Sequence, residues 1–452
     1  MLFNTLTYLI FITLVFCIHW SVKNKQAQNG VIVLASMVFY GWWSVPCLGL
    51  MVGTCVLNYL LVKAMQWHKP QTKRKPWMVF ALLMNFGILG VFKYFNFFAD
   101  NLAVLLHSLN MNADLPTLNI ILPVGISFYT FQLSAYVIDC YRKELYPALS
   151  FMQFMAFICF FPQLVAGPIE RGRNLLPQFG KKRTFNEATA TEGMRLILWG
   201  LVKKMLIADN CAAQVDFVFS NYETVSASTL WLGALYFTFQ IYGDFSGYCD
   251  MAIGSAKLFG IQLTQNFNRP YFATSMQDFW RRWHITLMGW FKDYVYIPLG
   301  GNRKGDLRKR INNLIVFTLS GLWHGSNWTF VCWGLYHALV YYLPVKRLAF
   351  LLVVIGWVIF RAPDMEVAAG FLAGMFQPIT LITTPACSRM PLLLIVLLMV
   401  VEWRMKDHQH PFLWKNYGWQ SSQMVRMVVY WLIFFTTVLF GGEQIQFIYF
   451  QF

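Results

Sequence analysis

The stretch NNLIVFTLSGLWHGSNWTFVCWGLYHALVYYL, residues 312–343, contains no Lys, Arg, Asp or Glu. A membrane-crossing helix needs about 20 apolar residues, so this run is longer than one span requires. Basic residues flank it on both sides, 303-RKGDLRKR-310 before it and Lys346/Arg347 after it. Cytoplasmic loops collect Lys and Arg, and a single crossing cannot begin and end among them. A pair of short helices that enters and returns satisfies both constraints, with Gly321, Gly325 and Ser326 at the turn. Such re-entrant backbone is tolerated only where it is buried in protein or lines water. His324 lies midway along the run, at the expected turn. An ionisable side chain at that depth is costly unless paired or water-lined, so position alone divides it between a structural ring, satisfied by Ser320 or Asn327, and a reaction site.

The rest of the chain fits this reading. Of 452 residues, 57% are hydrophobic and 12% charged, half the charge of a soluble domain. Further apolar runs cover Leu2–Trp20, Val31–Val62, Val79–Phe98, Asn119–Ile138 and Ser228–Phe245. Alternating strand patterns are absent, which argues against a barrel. The class is an all-α polytopic membrane protein, expected as one integral domain over residues 1–452 without a soluble module. Leu2–Trp20 precedes its first lysine, Lys23, the reverse of a cleaved signal, and reads as a retained first span. The nine cysteines show no CxxC spacing and read as small core hydrophobes, not disulfides or metal ligands. The net charge of +16 fits Lys- and Arg-rich cytoplasmic loops and calls for no nucleic acid.

Threading the charge gives cytoplasmic loops at Lys23/Lys25, 69–75, Arg142/Lys143, 171–183, 303–310, Lys346/Arg347 and Arg404/Lys406. Outside loops are expected at 99–118, 214–227 and 362–388, a helical hairpin at 31–43 and 46–62, and spans at 79–98 and 119–138. Residues 150–168 are apolar between basic flanks and read as a second re-entrant segment. Residues 252–311 are too polar to span. Trp280, Trp283, Leu287 and Trp290 recur at one helical face, which predicts a helix lying in the interface, with Arg281 and Arg282 towards water.

The remaining histidines carry less weight. His19 and His68 sit at span ends, His107 in an outside loop, and His408 and His410 in a solvated loop. His337 reads as a buried ring hydrogen-bonded to a neighbouring helix. No GxSxG elbow, Walker loop or HExxH is present. GYCDMAIG (247–254) and LGGNRKG (299–305) lack phosphate-loop spacing, and the second reads as a turn. What is left is a deep histidine without a serine or cysteine nucleophile. A neutral imidazole can take a proton from a hydroxyl as it attacks a carbonyl, and a thioester carbonyl needs no enzyme nucleophile. Trp323, His284 and Asn327 are candidates to steady the developing negative charge. A transporter is the rival, disfavoured because the apolar runs are nearly free of charge and no repeat is visible.

At this point the blocks QDFWRRWHITLMGWFKDYVYIPLGGNRKG (277–305) and LSGLWHGSNWTFVCWGLYHAL (319–339) resemble the membrane-bound O-acyltransferase family, most closely its bacterial alginate O-acetylase-like branch. Residues 125–142, 161–179 and 243–271 match further blocks of that branch, and the motif-bearing core runs over 119–345. The resemblance implies a ring of tilted helices with re-entrant segments around a central tunnel. It implies transfer of an acyl group, acetyl in the first instance, from a cytoplasmic thioester to a hydroxyl acceptor, for O-acetylation of an extracytoplasmic polysaccharide across the bacterial cytoplasmic membrane. The donor would be acetyl-CoA or an acyl carrier protein, with no bound cofactor or metal. The family's WHG-block histidine maps onto His324 as general base, and its RRWH-block histidine onto His284. Trp323, Asn327, Arg281, Asp244, Tyr248 and Asn268 are expected to line the tunnel, and Arg269 falls in a matching block. The branch implies a periplasmic or surface partner of the serine-hydrolase-like type. D-alanyl transfer to teichoic acid from an aminoacyl carrier protein is the alternative within the family.

Overall fold

The computed structural model describes residues 1–68, 71–111, 115–118, 121–344, 348–378, 387–405, 408–412 and 422–448. Lys69, Lys346, Arg347, Lys406 and parts of the expected loops 99–118 and 362–388 lie outside the described residues. Every regular element among the described residues is helical. They form two compact units, Met1–Asn186 with Phe259–Thr264, and Glu187–Leu258 with Gln265–Phe452.

The first unit contains α1 (Leu6–Ser21), α2 (Lys25–Gly41), α3 (Val45–Trp67), α4 (Gln71–Leu89), α5 (Phe95–Ser108), α6 (Ile126–Arg142), α7 (Phe151–Ile158), α8 (Phe161–Leu164) and α9 (Gly172–Phe179). Thr5, Asn24, Ser44 and Ser150 start α1, α2, α3 and α7. Each side-chain oxygen accepts a first-turn N–H, which satisfies a donor the helix cannot. The hairpin of α2 and α3 follows the expected one. The span expected at 79–98 is longer: α4 passes through a π turn (Gly90–Tyr94) into α5, so that Thr72–Ser108 is one apolar rod. Residues expected as an outside loop are therefore helical up to Ser108. The next helix begins at Ile126, later than expected, because Gly125 is left-handed (φ 75°) and a Cβ there would lie 2.7 Å from the Leu164 carbonyl.

The segment 150–168 has the form expected of one that does not cross. It is broken into α7 and α8, and residues 153–172 are buried. An eight-residue helix is about 12 Å long, far short of a bilayer core. The basic stretch after it, expected as a cytoplasmic loop, is split: Arg173, Lys181 and Lys182 are exposed, but its two end residues are not. Arg171 and Arg183 are buried, and Arg183 Nη2 donates to Asn29 Oδ1 at 2.9 Å. Glu170 accepts from the Thr264 N–H and hydroxyl, and burial pushes its carboxyl up to about 7. His19 is fully buried, edge-on to Trp20 and Phe259, and not at an open span end.

The second unit contains α10 (Glu187–Leu201), α11 (Asp209–Ser220), α12 (Ala227–Leu258), α13 (Met276–Arg282), α14 (Ile285–Phe291), α15 (Gly305–His324), α16 (Trp328–Val340), α17 (Ala349–Arg361), α18 (Met365–Met375), α19 (Met390–Arg404) and α20 (Gln423–Phe440). Its axis is α12, about 48 Å long and buried along most of its length. The expected span ended at Phe245, but the helix runs on through GYCDMAIG. The glycines there serve packing: a Cβ at Gly247 would lie 2.7 Å from the Gly200 carbonyl, and one at Gly254 2.5 Å from that of Gly193. The expected outside loop 214–227 is helical to Ser220.

Near-absence of charge in the apolar interior also fails. A π-helical turn, Val202–Ala208, buries both Lys203 and Lys204. Lys203 Nζ lies 2.8 Å from Asp250 and 3.7 Å from Glu402, whose Oε1 accepts from the Tyr242 hydroxyl at 2.7 Å. Lys204 Nζ lies 2.8 Å from both Asp209 and Asp244 and donates to the Ile445 carbonyl at 3.1 Å. His410, expected in solvent, is buried and bonds Glu192 at 2.7 Å.

Among the described residues three helical stretches are long and apolar enough to cross a bilayer: Val45–Trp67, Thr72–Ser108 and Gln423–Phe440. In the last, Met424, Val428, Leu432 and Leu439 are exposed. A contiguous apolar face open to this extent suits lipid and not water. The protein is an all-α membrane protein.

Candidate active site

Two short stretches of the second unit carry the site. The first is the hairpin of α15 and α16. The α15 helix ends at His324, Gly325 is extended, and Asn327 caps α16, its Oδ1 accepting from the Thr329 N–H at 3.1 Å. Glycines let the two helices touch. A Cβ at Gly321 would fall 2.1 Å from the Phe330 carbonyl, and one at Gly334 2.4 Å from that of Phe317. The stretch is thus a helical hairpin with His324 at its turn, and α15, at 20 residues, is longer than the short helix expected. His324 is buried within rings, centroid to centroid 4.9 Å from Trp323, 5.1 Å from Trp333 and 5.2 Å from Phe360.

The second stretch is the RRWH block, and here the expectation of one interfacial helix is wrong. The block is two helices, α13 and α14, broken at Trp283 and His284. Trp280, Trp283, Leu287 and Trp290 do share a buried side, but they pack inside protein. Trp283 lies 4.8 Å from Trp357 and Trp280 5.7 Å from Trp333. They do not anchor the chain to a lipid surface. The cause of the break is a clasp. Asn268 N–H donates to the Arg282 carbonyl and Ile285 N–H to the Asn266 carbonyl, both at 2.9 Å. His284, between them, is held left-handed at φ 44°, a conformation that costs a non-glycine residue roughly 1–2 kcal/mol.

Asn266 is the hub of that clasp. Its side-chain oxygen lies 3.1 Å from the Thr286 N–H nitrogen, 2.8 Å from the Thr286 hydroxyl and 3.1 Å from His284 Nδ1. A backbone N–H can only donate, so the amide atom facing it is the oxygen, and an amide oxygen can only accept. His284 Nδ1 therefore carries a proton. In the neutral ring Nε2 then holds a lone pair, and it has no hydrogen-bond partner among the described residues. The neutral ring can accept a proton or hydrogen bond at Nε2 and cannot donate from it. His284 thus drops out as a donor to a developing oxyanion.

Trp323 ties the two histidines together, its ring 5.8 Å from His284 and 4.9 Å from His324. On its other side His284 meets Phe245 at 4.8 Å, and Phe447 then links Phe245 to Tyr248. Asp244 is near this chain of rings but is held by Lys204 and by the Ile448 N–H, 2.7 Å away. Asn327 donates to the Pro363 carbonyl at 2.6 Å, so both ends of its amide serve the turn. Arg281 and Asn268 are exposed. His337 is buried beside Trp280 and Trp333, and its ring nitrogens make no hydrogen bond among the described residues, contrary to the expected one. The 299–305 glycines form a turn, where Asn312 Nδ2 donates to the Gly301 carbonyl at 2.8 Å. Among the described residues no group of three or more His, Cys, Asp or Glu side chains is arranged to hold a metal.

The membrane-bound O-acyltransferase family model matches residues 141–352. The chain is 38% identical to the probable alginate O-acetylase AlgI of Pseudomonas aeruginosa, over 83% of this chain and 75% of that one. The chain belongs to the membrane-bound O-acyltransferase family. It is 37% identical to the peptidoglycan O-acetyltransferase of Helicobacter pylori over 83% of this chain and 80% of that one. To the teichoic acid D-alanyltransferase of Bacillus subtilis it is 30% identical over 50% of this chain and 59% of that one. As a family member the chain is an O-acyltransferase, and the transporter reading falls.

Asn266 was not singled out from the sequence, nor were Lys203, Lys204, Asp250 and Glu402. Lysines inside the apolar LILWGLVKKMLIA run (196–208) were a legible signal. An asparagine in NFNRPY was not, because its role depends on a backbone N–H twenty residues away. Its role can be tested on the acyltransferase. Asn266→Asp keeps an acceptor for all three donors and adds a negative charge beside His284. The acid limb of the pH–rate profile is expected to move to higher pH by about one unit or more, measured as log kcat/KM against pH. An unmoved limb with a normal rate removes Asn266 and His284 from the proton path.

Proposed function

We propose that this protein moves an acetyl group from a cytoplasmic thioester, acetyl-CoA or an acylated carrier protein, to a hydroxyl beyond the bacterial inner membrane. The final acceptor is an extracytoplasmic polysaccharide. What supports the reading is the burial of His324 and His284 against one tryptophan, in a chain so similar to two O-acetylating proteins. His324 acts as general base. It takes the proton of the acceptor hydroxyl as that oxygen bonds to the thioester carbon. The tetrahedral intermediate collapses, the C–S bond breaks, and the thiolate leaves and is protonated, giving ester and thiol. His284, with its lone pair at Nε2, orients the acceptor hydroxyl by accepting from it. The two histidines line a tunnel through a multi-pass domain, and donor and acceptor meet there from opposite faces. A periplasmic or surface serine-hydrolase-like protein receives the acetyl group and passes it to the polymer.

Proteoliposomes loaded with radiolabelled acetyl-CoA test the reading. Label is expected as an ester on a hydroxyl acceptor added outside. Release of unesterified label alone would overturn transfer to an outside hydroxyl. Transfer from D-alanyl carrier protein alone would move it to the teichoic acid reaction, for which the more limited similarity to the Bacillus protein speaks.

A further inference from the structure

A cleft of about 560 Å³ opens in the first unit, lined by Gln66, His68, Arg74, Cys140, Lys143 and Tyr146, among others. Arg74 is 6% exposed. Its Nη2 donates to the Cys140 carbonyl at 2.8 Å, and its Nε has no hydrogen-bond partner among the described residues. Lys143 caps α6 in the left-handed conformation, φ 63°. No carboxylate among the described residues stands within ion-pair distance of either cation. What opposes them is the carbonyl end of α6, equivalent to about half an elementary charge against two. Lys73 and Lys75 are exposed on the first turns of α4 and add to the imbalance. A buried guanidinium is normally paired, and Arg74 has no carboxylate at ion-pair distance among the described residues, the exposed Glu144 beside Lys143 included, so it is one anion short of a partner.

Its place in the fold says which anion. Two of the three long apolar stretches meet here, Val45–Trp67 ending and Thr72–Ser108 beginning. Trp67 is 81% exposed and Tyr146 93% exposed, and Trp77 stacks on His68 with ring centroids 6.2 Å apart. Tryptophan and tyrosine gather at headgroup depth, and basic pockets between spans at that depth suit lipid phosphates.

We propose that this cleft seats the phosphate of an anionic phospholipid, held by Arg74 and Lys143. The chemistry recognised is a phosphate anion with no cation attached, which inorganic phosphate or the phosphates of a soluble thioester donor also offer and phosphatidylcholine, whose phosphate carries choline, does not. The full chain in nanodiscs of mixed phosphatidylcholine and phosphatidylglycerol, examined by native mass spectrometry, separates these. Wild type is expected to retain phosphatidylglycerol about tenfold over phosphatidylcholine, the equivalent of one good charge-assisted contact. Lys143→Glu, an exposed substitution that keeps the helix end intact, is expected to abolish the preference, and Arg74→Gln to weaken it. Arg308→Glu makes the same charge change on an exposed turn of the second unit and is expected to leave it intact. Equal retention of both lipids by wild type, or equal loss in Arg308→Glu, overturns the site. Displacement of phosphatidylglycerol by millimolar inorganic phosphate or by coenzyme A overturns the lipid assignment in favour of a soluble ligand.

Discussion

His324→Ala is expected to lower acetyl transfer by roughly a hundred- to ten-thousandfold, the range a positioned acid or base supplies, with the protein still folded in the membrane. His324 reaches the turn of α15 and α16 through helix packing that does not depend on its ring. The hairpin closes through Gly321, Gly334 and the Asn327 cap, all of which the substitution leaves in place. The imidazole does fill space among Trp323, Trp333 and Phe360, so alanine leaves a void. His324→Gln keeps most of the volume and a polar end but offers no base of useful strength, and it should be as inactive as alanine with less loss of stability. Ester acetate on the cell surface, normalised to protein in the membrane, reads both. If either variant keeps more than a tenth of wild-type turnover, the proton goes elsewhere, and His284, whose Nε2 is poised to accept, becomes the first candidate.

Lys204→Ala should be the most damaging change to the fold itself. One ammonium bridges Asp209 and Asp244 and also donates to the Ile445 carbonyl, while Asp244 accepts from the Ile448 N–H. The group is buried, with Lys204 6% exposed, so solvent does little to screen it. Removing one partner of a buried pair costs about 3–5 kcal/mol, because the charge left behind is uncompensated. Here two carboxylates are left. Unfolding in mixed micelles at increasing denaturing detergent should show the loss. Amide exchange should accelerate first in 441–448, which the lysine and Asp244 hold. A loss under about 1 kcal/mol would mean that water reaches the cluster and screens it.

What could be read from the sequence followed the physics of each signal. The membrane class, the hairpin of α2 and α3, the broken segment at 150–168 and the turn at His324 all came from long-range charge and apolar patterning, which lipid imposes regardless of neighbours. Helix ends were read less well. The α12 helix passes Phe245 because its polar residues face other helices, and α5 runs to Ser108 with Asp100, His107 and Ser108 exposed, a polar surface that composition cannot separate from a loop. The RRWH block failed for a sharper reason. The periodicity of Trp280, Trp283, Leu287 and Trp290 is real as burial, yet the chain breaks between Trp283 and Ile285 because residues 266–268 bind its backbone there. Of the candidate site, Trp323, His324 and His284 come together. Arg281 and Asn268 are exposed, and Asp244 belongs to an ion cluster built on Lys204, a lysine the apolar patterning passes over.

The left-handed backbone at His284 sets folding and chemistry against each other at one position. Glycine would adopt that conformation without strain, and asparagine tolerates it better than most residues. A library of this protein selected for thermal stability alone should therefore drift away from histidine at 284 and return robust, inert variants. Attempts to stabilise the enzyme for engineering should hold position 284 fixed and look for gains elsewhere, since the strain there is the cost of aiming an imidazole.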